Sequence, residues 1–249
     1  MVGRSFALFT YDPMLLAAVD ATPKNMTDVL RTLHTIDATC ADGDGLKWFN
    51  WLYMEVTQAV ADRVAAGGFT DPAWMAALDV HFAALYFSAL KSSLRGTATP
   101  GCWQVLFTRR SEVLLARIQF AAAGINAHID HDLAEAIVRT CADTGVSPDR
   151  HGVHYADYTS LNGTLDGLVN LTKQKLHLRL LGELLPPVSH LEDTLAGWGV
   201  AAARENAWFH AERMWALRGV PGFDWTYLHG LDYFATVAGK LLMVPVPLR

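Results

Sequence analysis

The chain has 249 residues, of which 51% are hydrophobic and only 18% are charged, and its formal net charge is −5. An acidic balance with scattered basic residues excludes the electrostatic footprint of a nucleic-acid-binding protein. No stretch of roughly 18 residues is apolar and free of charge, and the first residues lack the order of a signal peptide, so we expect a cytoplasmic protein without a membrane span.

Hydrophobic residues recur at helical spacing through most of the chain, and no alternating β pattern is present. We therefore predict an all-α fold: an N-terminal arm at residues 1–22, packed on a single globular domain at 23–249. About seven helices are expected around a central buried one. They begin near residue 23 and then cover about 46–66, 71–94, 116–141, 155–181, 191–218 and 225–243.

The central stretch, 116–141, is apolar on all sides but is interrupted by polar residues. On an ideal helix His128 and Asp132 lie four residues apart on one face, so the carboxylate can accept a hydrogen bond from the imidazole. That pairing would fix the tautomer of His128 and raise its basicity. Asn126 points nearly the opposite way and joins the pair only if the helix is distorted near Gly124. The alternative is that His128 and Asp132 form a satisfied core pair.

Other helices also have polar residues on their apolar, inward-facing stripes, namely Asp79, Asn162 and Arg204. A buried network would satisfy them, for example with Arg204 forked onto Asp79 or Asp132. Such convergence in a helical core builds binding sites, although a network that only fixes the helix register is the alternative.

Aromatic residues accompany these polar positions. Trp208 lies one turn from Arg204, and Tyr86 lies on the same stripe as Asp79. Rings in these places can form the wall of a site for an apolar ligand, or they can simply fill the core.

A metal site is a further alternative, because His128 and Asp132 at i and i+4 can share a divalent cation. The HxxxD spacing is similar to one found in helical zinc phospholipases and nucleases, but the further histidine motifs and the N-terminal tryptophan ligand of those enzymes have no clear counterparts here. The chain also lacks a GxSxG elbow, a Walker loop and a GxGxxG motif, which leaves acyl-enzyme and nucleotide chemistry unsupported.

Several motifs together resemble one known family, the bacterial DUF5995 family, common in actinobacteria and of unknown function. They are DGxxxFxxxYxxxT at 44–57, LDxxFAxLYFxA at 78–89, Trp103, GINAHIDHDLxxA at 124–136, the Asn162 position and RxxAW at 204–208. The resemblance covers about residues 24–243 and implies one helical domain. It marks Asn126, His128, Asp132, Arg204 and Trp208 as motif positions. Ala134 stands where the family more often has proline.

These observations favour a cofactor-independent enzyme that acts by acid–base chemistry on a small, largely apolar molecule. His128 would be the general acid or base, oriented by Asp132, and Asn126, Asn162 and Arg204 would hold a carbonyl or enolate oxygen. Asp79, Trp208 and Tyr86 are further candidates for contacts with the substrate. Cyclisation, isomerisation or elimination in specialised metabolism suits such a site.

Two alternatives belong to other classes: a metal-dependent hydrolase that uses His128 and Asp132 as ligands, and a non-enzymatic protein that binds a hydrophobic ligand. The apolar composition also allows a homo-oligomer interface.

Overall fold

A computed structural model describes residues 9–165, 167 and 199–245 of the chain. Within these ranges no residue lies in a β-strand and most lie in helices, which confirms the all-α prediction. Three parts of the predicted elements lie outside the described residues: residues 1–8 of the arm predicted at 1–22, the later part of the helix expected at 155–181 apart from residue 167, and residues 191–198 of the helix expected at 191–218.

Three of the first four helices begin at a residue whose side chain caps the helix. The side chain of Asp44 accepts a hydrogen bond from the backbone N–H of Leu46, and Asp71 accepts one from Trp74, just before a proline in the first turn. The helices are α1 (Asp12–Ala18), α2 (Met26–Thr39), α3 (Gly45–Ala65) and α4 (Pro72–Leu94).

The predicted central helix is formed, but it is not a regular α-helix throughout. It consists of α6 (Arg117–Ala127), a π-helical segment (His128–Asp132) and α7 (Leu133–Thr144), and the short α5 (Gly101–Phe107) precedes it. The backbone N–H of Leu133 donates to the carbonyl of His128, five residues earlier, as in a π-helix. The expectation of one uninterrupted helix ending near residue 141 is therefore corrected.

Three further helices have described bounds, α8 (Val153–Ser160), α9 (Val200–Leu217) and α10 (Phe223–Leu242), and residues 162–165 are also helical. The polar π-helical segment contacts α4, α9 and α10 as well as its own flanking helices. It is buried between two hydrophobic clusters, one rich in residues of α2, α3 and α5 and the other rich in residues of α7, α8 and α9.

Helix α4 is long and apolar enough to cross a membrane by length and composition, and it is the one such helix in the described ranges. Half of its most apolar 18-residue stretch is buried against the rest of the protein. The core helix of a globular protein has the same properties.

The segment after residue 8 packs on the helical core. Leu15 of α1 is fully buried, and the buried carboxylate of Asp12 pairs with the guanidinium of Arg110. These contacts attach α1 to the loop that follows α5.

Candidate functional site

The carboxylate of Asp132 is the centre of the buried polar groups in the π-helical segment. Its Oδ2 accepts a hydrogen bond from Trp103 Nε1 at 3.0 Å and lies 3.1 Å from His128 Nδ1. Its Oδ1 lies 2.7 Å from His131 Nδ1. The sequence-predicted pairing of His128 with Asp132 is thus present, and Trp103 and His131 join it.

The protonation states follow from burial and from these bonds. Burial favours a neutral Asp132, but the hydrogen bonds and charges of the two histidines outweigh it, so the pKa of Asp132 is lowered. For His131, burial likewise opposes the charge, yet Asp132 with Asp232 and Glu135 raises its pKa. For His128, burial dominates and lowers the pKa. At pH values between the lowered pKa of His128 and the raised pKa of His131, Asp132 and His131 therefore form an ion pair, beside which His128 is neutral.

The ring of His128 is held on two sides by aromatic side chains. Phe82 stacks on it with ring centroids 3.4 Å apart and planes within 4°, and Tyr53 meets it edge-on at 4.5 Å. Because the carboxylate of Asp132 can only accept, the neutral imidazole must donate from Nδ1, which leaves a lone pair on Nε2. That Nε2 atom is buried and has no hydrogen-bond partner in the described part of the chain.

A small cavity of about 80 Å³ adjoins His128. Its wall is almost entirely apolar, and Arg204 supplies a cationic group. The other lining residues are aromatic or aliphatic side chains of α3, α4, α6, the π-helical segment, the segment after α8 and the first residue of α9: Phe49, Leu52, Tyr53, Val56, Phe82, Ile125, Ile129, Leu165 and Val200.

Arg204 is positioned by residues at and just after the end of α8, and no acid among the described residues pairs with it. Its Nε donates to Asn162 Oδ1 at 2.9 Å, its Nη2 donates to the carbonyl of Tyr158 at 2.7 Å, and its guanidinium lies 3.9 Å from the centre of the Tyr158 ring. The predicted fork onto Asp79 or Asp132 was wrong. The predicted association of Arg204 with Asn162 is found, at the edge of the cavity that His128 lines.

Asn126 lies on the other side of the helix from His128. Its Nδ2 donates to the carbonyl of Ala235 on α10 at 2.7 Å, and its Oδ1 is buried without a hydrogen-bond partner among the described residues. It lines a separate cavity of about 40 Å³. The helix is distorted, but four residues beyond Gly124, and the distortion does not bring Asn126 to the His128 cavity.

Three other sequence candidates lie outside the lining of the His128 cavity. Asp79 is buried, and its Oδ2 has no hydrogen-bond partner among the described residues. Burial raises the pKa of this carboxyl group to about 7. Tyr86 donates from its hydroxyl to Asn50 Oδ1 at 3.3 Å and stacks on Trp103. Trp208 is fully buried and packs against the rings of α8.

Sequence reasoning did not single out Tyr53, Phe82, Trp103 or His131 as parts of this site. The first two occupy ordinary positions on apolar helical stripes, and nothing in the pattern distinguishes them from core residues. Trp103 and His131 each offered a signal, because a buried carboxylate needs several donors and both residues carry a ring N–H.

The two predicted metal ligands are already engaged with other groups. Both oxygens of Asp132 accept hydrogen bonds from ring N–H groups. Among the described residues no group of three or more His, Cys, Asp or Glu side chains converges as a metal site would require. The donor set is therefore a poor fit to a divalent cation.

A family model described as a family of unknown function (DUF5995) matches residues 26–245. The chain therefore belongs to this family, as its motifs indicated. No curated protein and no solved structure shows significant similarity to the chain.

Proposed function

We propose that the protein is a cofactor-independent enzyme that uses His128 as a general base on a small, largely apolar molecule. One observation carries the proposal: the imidazole Nε2 has no hydrogen-bond partner in the described fold, yet it belongs to a ring that lines an apolar cavity. An unsatisfied buried acceptor costs free energy, and a substrate that offers a proton would remove that cost.

The surroundings of His128 suit proton abstraction. Its lowered pKa keeps the ring neutral and able to accept near pH 7. When Nε2 takes a proton, the imidazolium is stabilised by Asp132, whose oxygen lies 3.1 Å from Nδ1. The stacked Phe82 and the edge-on Tyr53 restrict rotation of the ring, so that the base is already oriented.

The size and polarity of the cavity limit what reacts there. A cavity of roughly 150 Å³ holds a benzene molecule, so a space of about 80 Å³ admits only the reacting fragment of a larger molecule. The aromatic and aliphatic wall excludes strongly hydrated groups. Removal of a C–H proton next to a carbonyl, as in an isomerisation, cyclisation or elimination, fits these limits.

Arg204 is the group best placed to stabilise the negative charge that proton removal creates. Its Nη1 takes part in neither of the bonds that fix Nε and Nη2. A guanidinium at the edge of an apolar cavity stabilises an enolate oxygen more strongly than it would in water. Asn162 acts in this scheme by holding Arg204, and not by touching the substrate.

Deuterium exchange tests the proposal without knowledge of the natural substrate. The protein is incubated in D₂O with a panel of small apolar ketones, and loss of the protons next to the carbonyl is followed by NMR. His128→Phe retains an aromatic ring in the stack but removes the base, and we expect exchange to fall by about 10²–10⁴-fold. His151→Phe, at an exposed loop histidine, is the matched control.

Exchange that is equally fast in the wild type and in His128→Phe would contradict the proposal. Binding of the ketones without any exchange would instead favour a protein that binds a hydrophobic ligand and catalyses nothing.

A further inference from the structure

A second and larger cavity, of about 560 Å³, forms a groove between α9 and α10, on the far side of the π-helical segment from His128. Its volume lies in the range of small-molecule sites. On the α9 side the groove is lined by small side chains such as Ala203 and Ala207. On the α10 side there is open space at Gly230, since a Cβ there would meet no atom within 4 Å. Phe234 stands at the rim and is 73% exposed.

One carboxylate, that of Asp130, lies in this apolar wall. It makes no hydrogen bond and no ion pair within the described ranges, in contrast to Asp132, which has a ring N–H partner at each oxygen. Burial alone raises the pKa of Asp130 to about 6, and no charged neighbour counters that effect. The groove thus contains an acidic group with no counter-ion.

The other titratable side chains that line the groove do not supply a positive charge. His210 Nδ1 and the hydroxyl of Tyr227 share a hydrogen bond of 2.8 Å, and burial lowers the pKa of His210, so the imidazole is neutral near pH 7. The rings of Tyr227 and Phe223 lie 5.2 Å apart and offer aromatic faces of the kind that attract cations.

We propose that this groove binds an apolar molecule that carries a protonated amine, with Asp130 as its counter-ion. Charge complementarity decides the class: the described lining offers one unpaired carboxylate, a neutral histidine and aromatic faces, and it offers no cationic group to receive an anion. Asp130 is half-buried, and a nonpolar molecule without charge would cover its carboxylate without pairing it. This proposal does not depend on catalysis by His128.

Isothermal titration calorimetry with the full chain provides the test, near pH 7.5, where Asp130 is ionised. The probes share one rigid hydrocarbon cage: adamantylamine, adamantanol and adamantane carboxylate. Because hydrogen bonds to a charged group are stronger than neutral ones, we expect the amine to bind at least about tenfold more tightly than the alcohol, and the carboxylate to bind least.

Four variants locate the interaction. Asp130→Asn should erase the preference for the amine, while Asp143→Asn, which removes an exposed charge on α7, should keep it. Gly230→Leu fills the groove and should abolish binding of both the amine and the alcohol. His128→Phe should bind the amine normally, which separates this result from the exchange experiment.

Equal binding of amine and alcohol would overturn the proposal, because the groove would then be apolar only. The proposal would also be overturned if the wild-type protein did not bind the amine, or if the Gly230→Leu variant still bound it. Concentration-dependent dimerisation that Gly230→Leu abolishes would assign the groove to a second copy of the chain instead.

Discussion

Replacement of Asp132 by asparagine tests the buried ion pair at the centre of the site. An amide oxygen in place of Oδ2 preserves an acceptor for Trp103 and His128, but the amide NH₂ then faces His131, which lies 2.7 Å from Oδ1. A hydrogen bond to a charged group contributes about 1.5–3 kcal/mol. We expect Asp132→Asn to lower the free energy of unfolding by about 2–3 kcal/mol, which lowers Tm by about 4–12 °C for a chain of this size.

The loss should depend on pH in a defined way. The pKa of His131 is raised in the fold, so its contribution is complete below its unfolded pKa of 6.5 and disappears as the pH rises through the folded pKa. The pKa of Asp132 is lowered, so its contribution is present above 3.8 and disappears as the pH falls through the folded pKa. The difference in Tm between wild type and variant should therefore be largest between 3.8 and 6.5 and smaller in alkaline solution.

Thermal unfolding followed by circular dichroism at about pH 5.5 and about pH 8.5 measures this difference. Asp143→Asn is the control, since Asp143 also lies close to a histidine, at 3.1 Å from His81, but is 69% exposed. A Tm for Asp132→Asn that equals the wild type at the lower pH, or that is reduced equally at both, would refute the assigned charges.

The remaining predictions concern single residues and are checked by chemical denaturation unless stated. The pKa of Asp79 is raised to about 7, so its stabilising effect is complete below 3.8 and lost as the pH rises through about 7. Asp79→Asn should therefore stabilise the fold near pH 8 by up to roughly 4 kcal/mol and by less near pH 5, and an equal gain at both values would contradict this. Gly124→Ala should destabilise by about 1–3 kcal/mol, because its Cβ would lie 2.3 Å from Cγ of Phe49. Gly230→Ala, in an open helical position, should raise the free energy of unfolding by about 0.5–1 kcal/mol. If both glycine variants changed the free energy of unfolding in the same direction, the argument from Cβ contacts would be wrong. Arg204→Lys cannot reproduce both hydrogen bonds and should lower ketone exchange with little change in ketone affinity, whereas unchanged exchange would remove Arg204 from the mechanism.

Periodicity alone was sufficient for the fold class and for most helix positions, because the hydrophobic stripe records which face of each helix is buried. The pairing of His128 with Asp132 was also accessible, since residues four apart in a helix are neighbours whatever surrounds them. The helix positions and the pairing of His128 with Asp132 are local properties of the chain, and both are present in the structure.

The π-helical segment could not be predicted in the same way. Residues 128–132 contact α4, α9 and α10, elements distant in sequence, and the local spacing of hydrophobic residues carries no information about such contacts. A glycine at 124 allowed a distortion there, but in the structure it admits the ring of Phe49 close to the helix backbone.

The partner of Arg204 shows the same limit. Helical spacing placed the guanidinium on an inward stripe but carried no information about which neighbouring helix it meets. The structure satisfies it with a backbone carbonyl of Tyr158 and the amide of Asn162, and neither is the carboxylate that charge alone favours.

The state of the His128 ring is the central claim, and ¹⁵N NMR of imidazole-labelled protein measures it most directly. We expect at neutral pH a ring protonated at Nδ1 and unprotonated at Nε2, with a pKa below 6.5, and a signal that the His128→Phe variant lacks. A ring that carries a proton on Nε2, or that is doubly protonated at neutral pH, would contradict its assignment as the base.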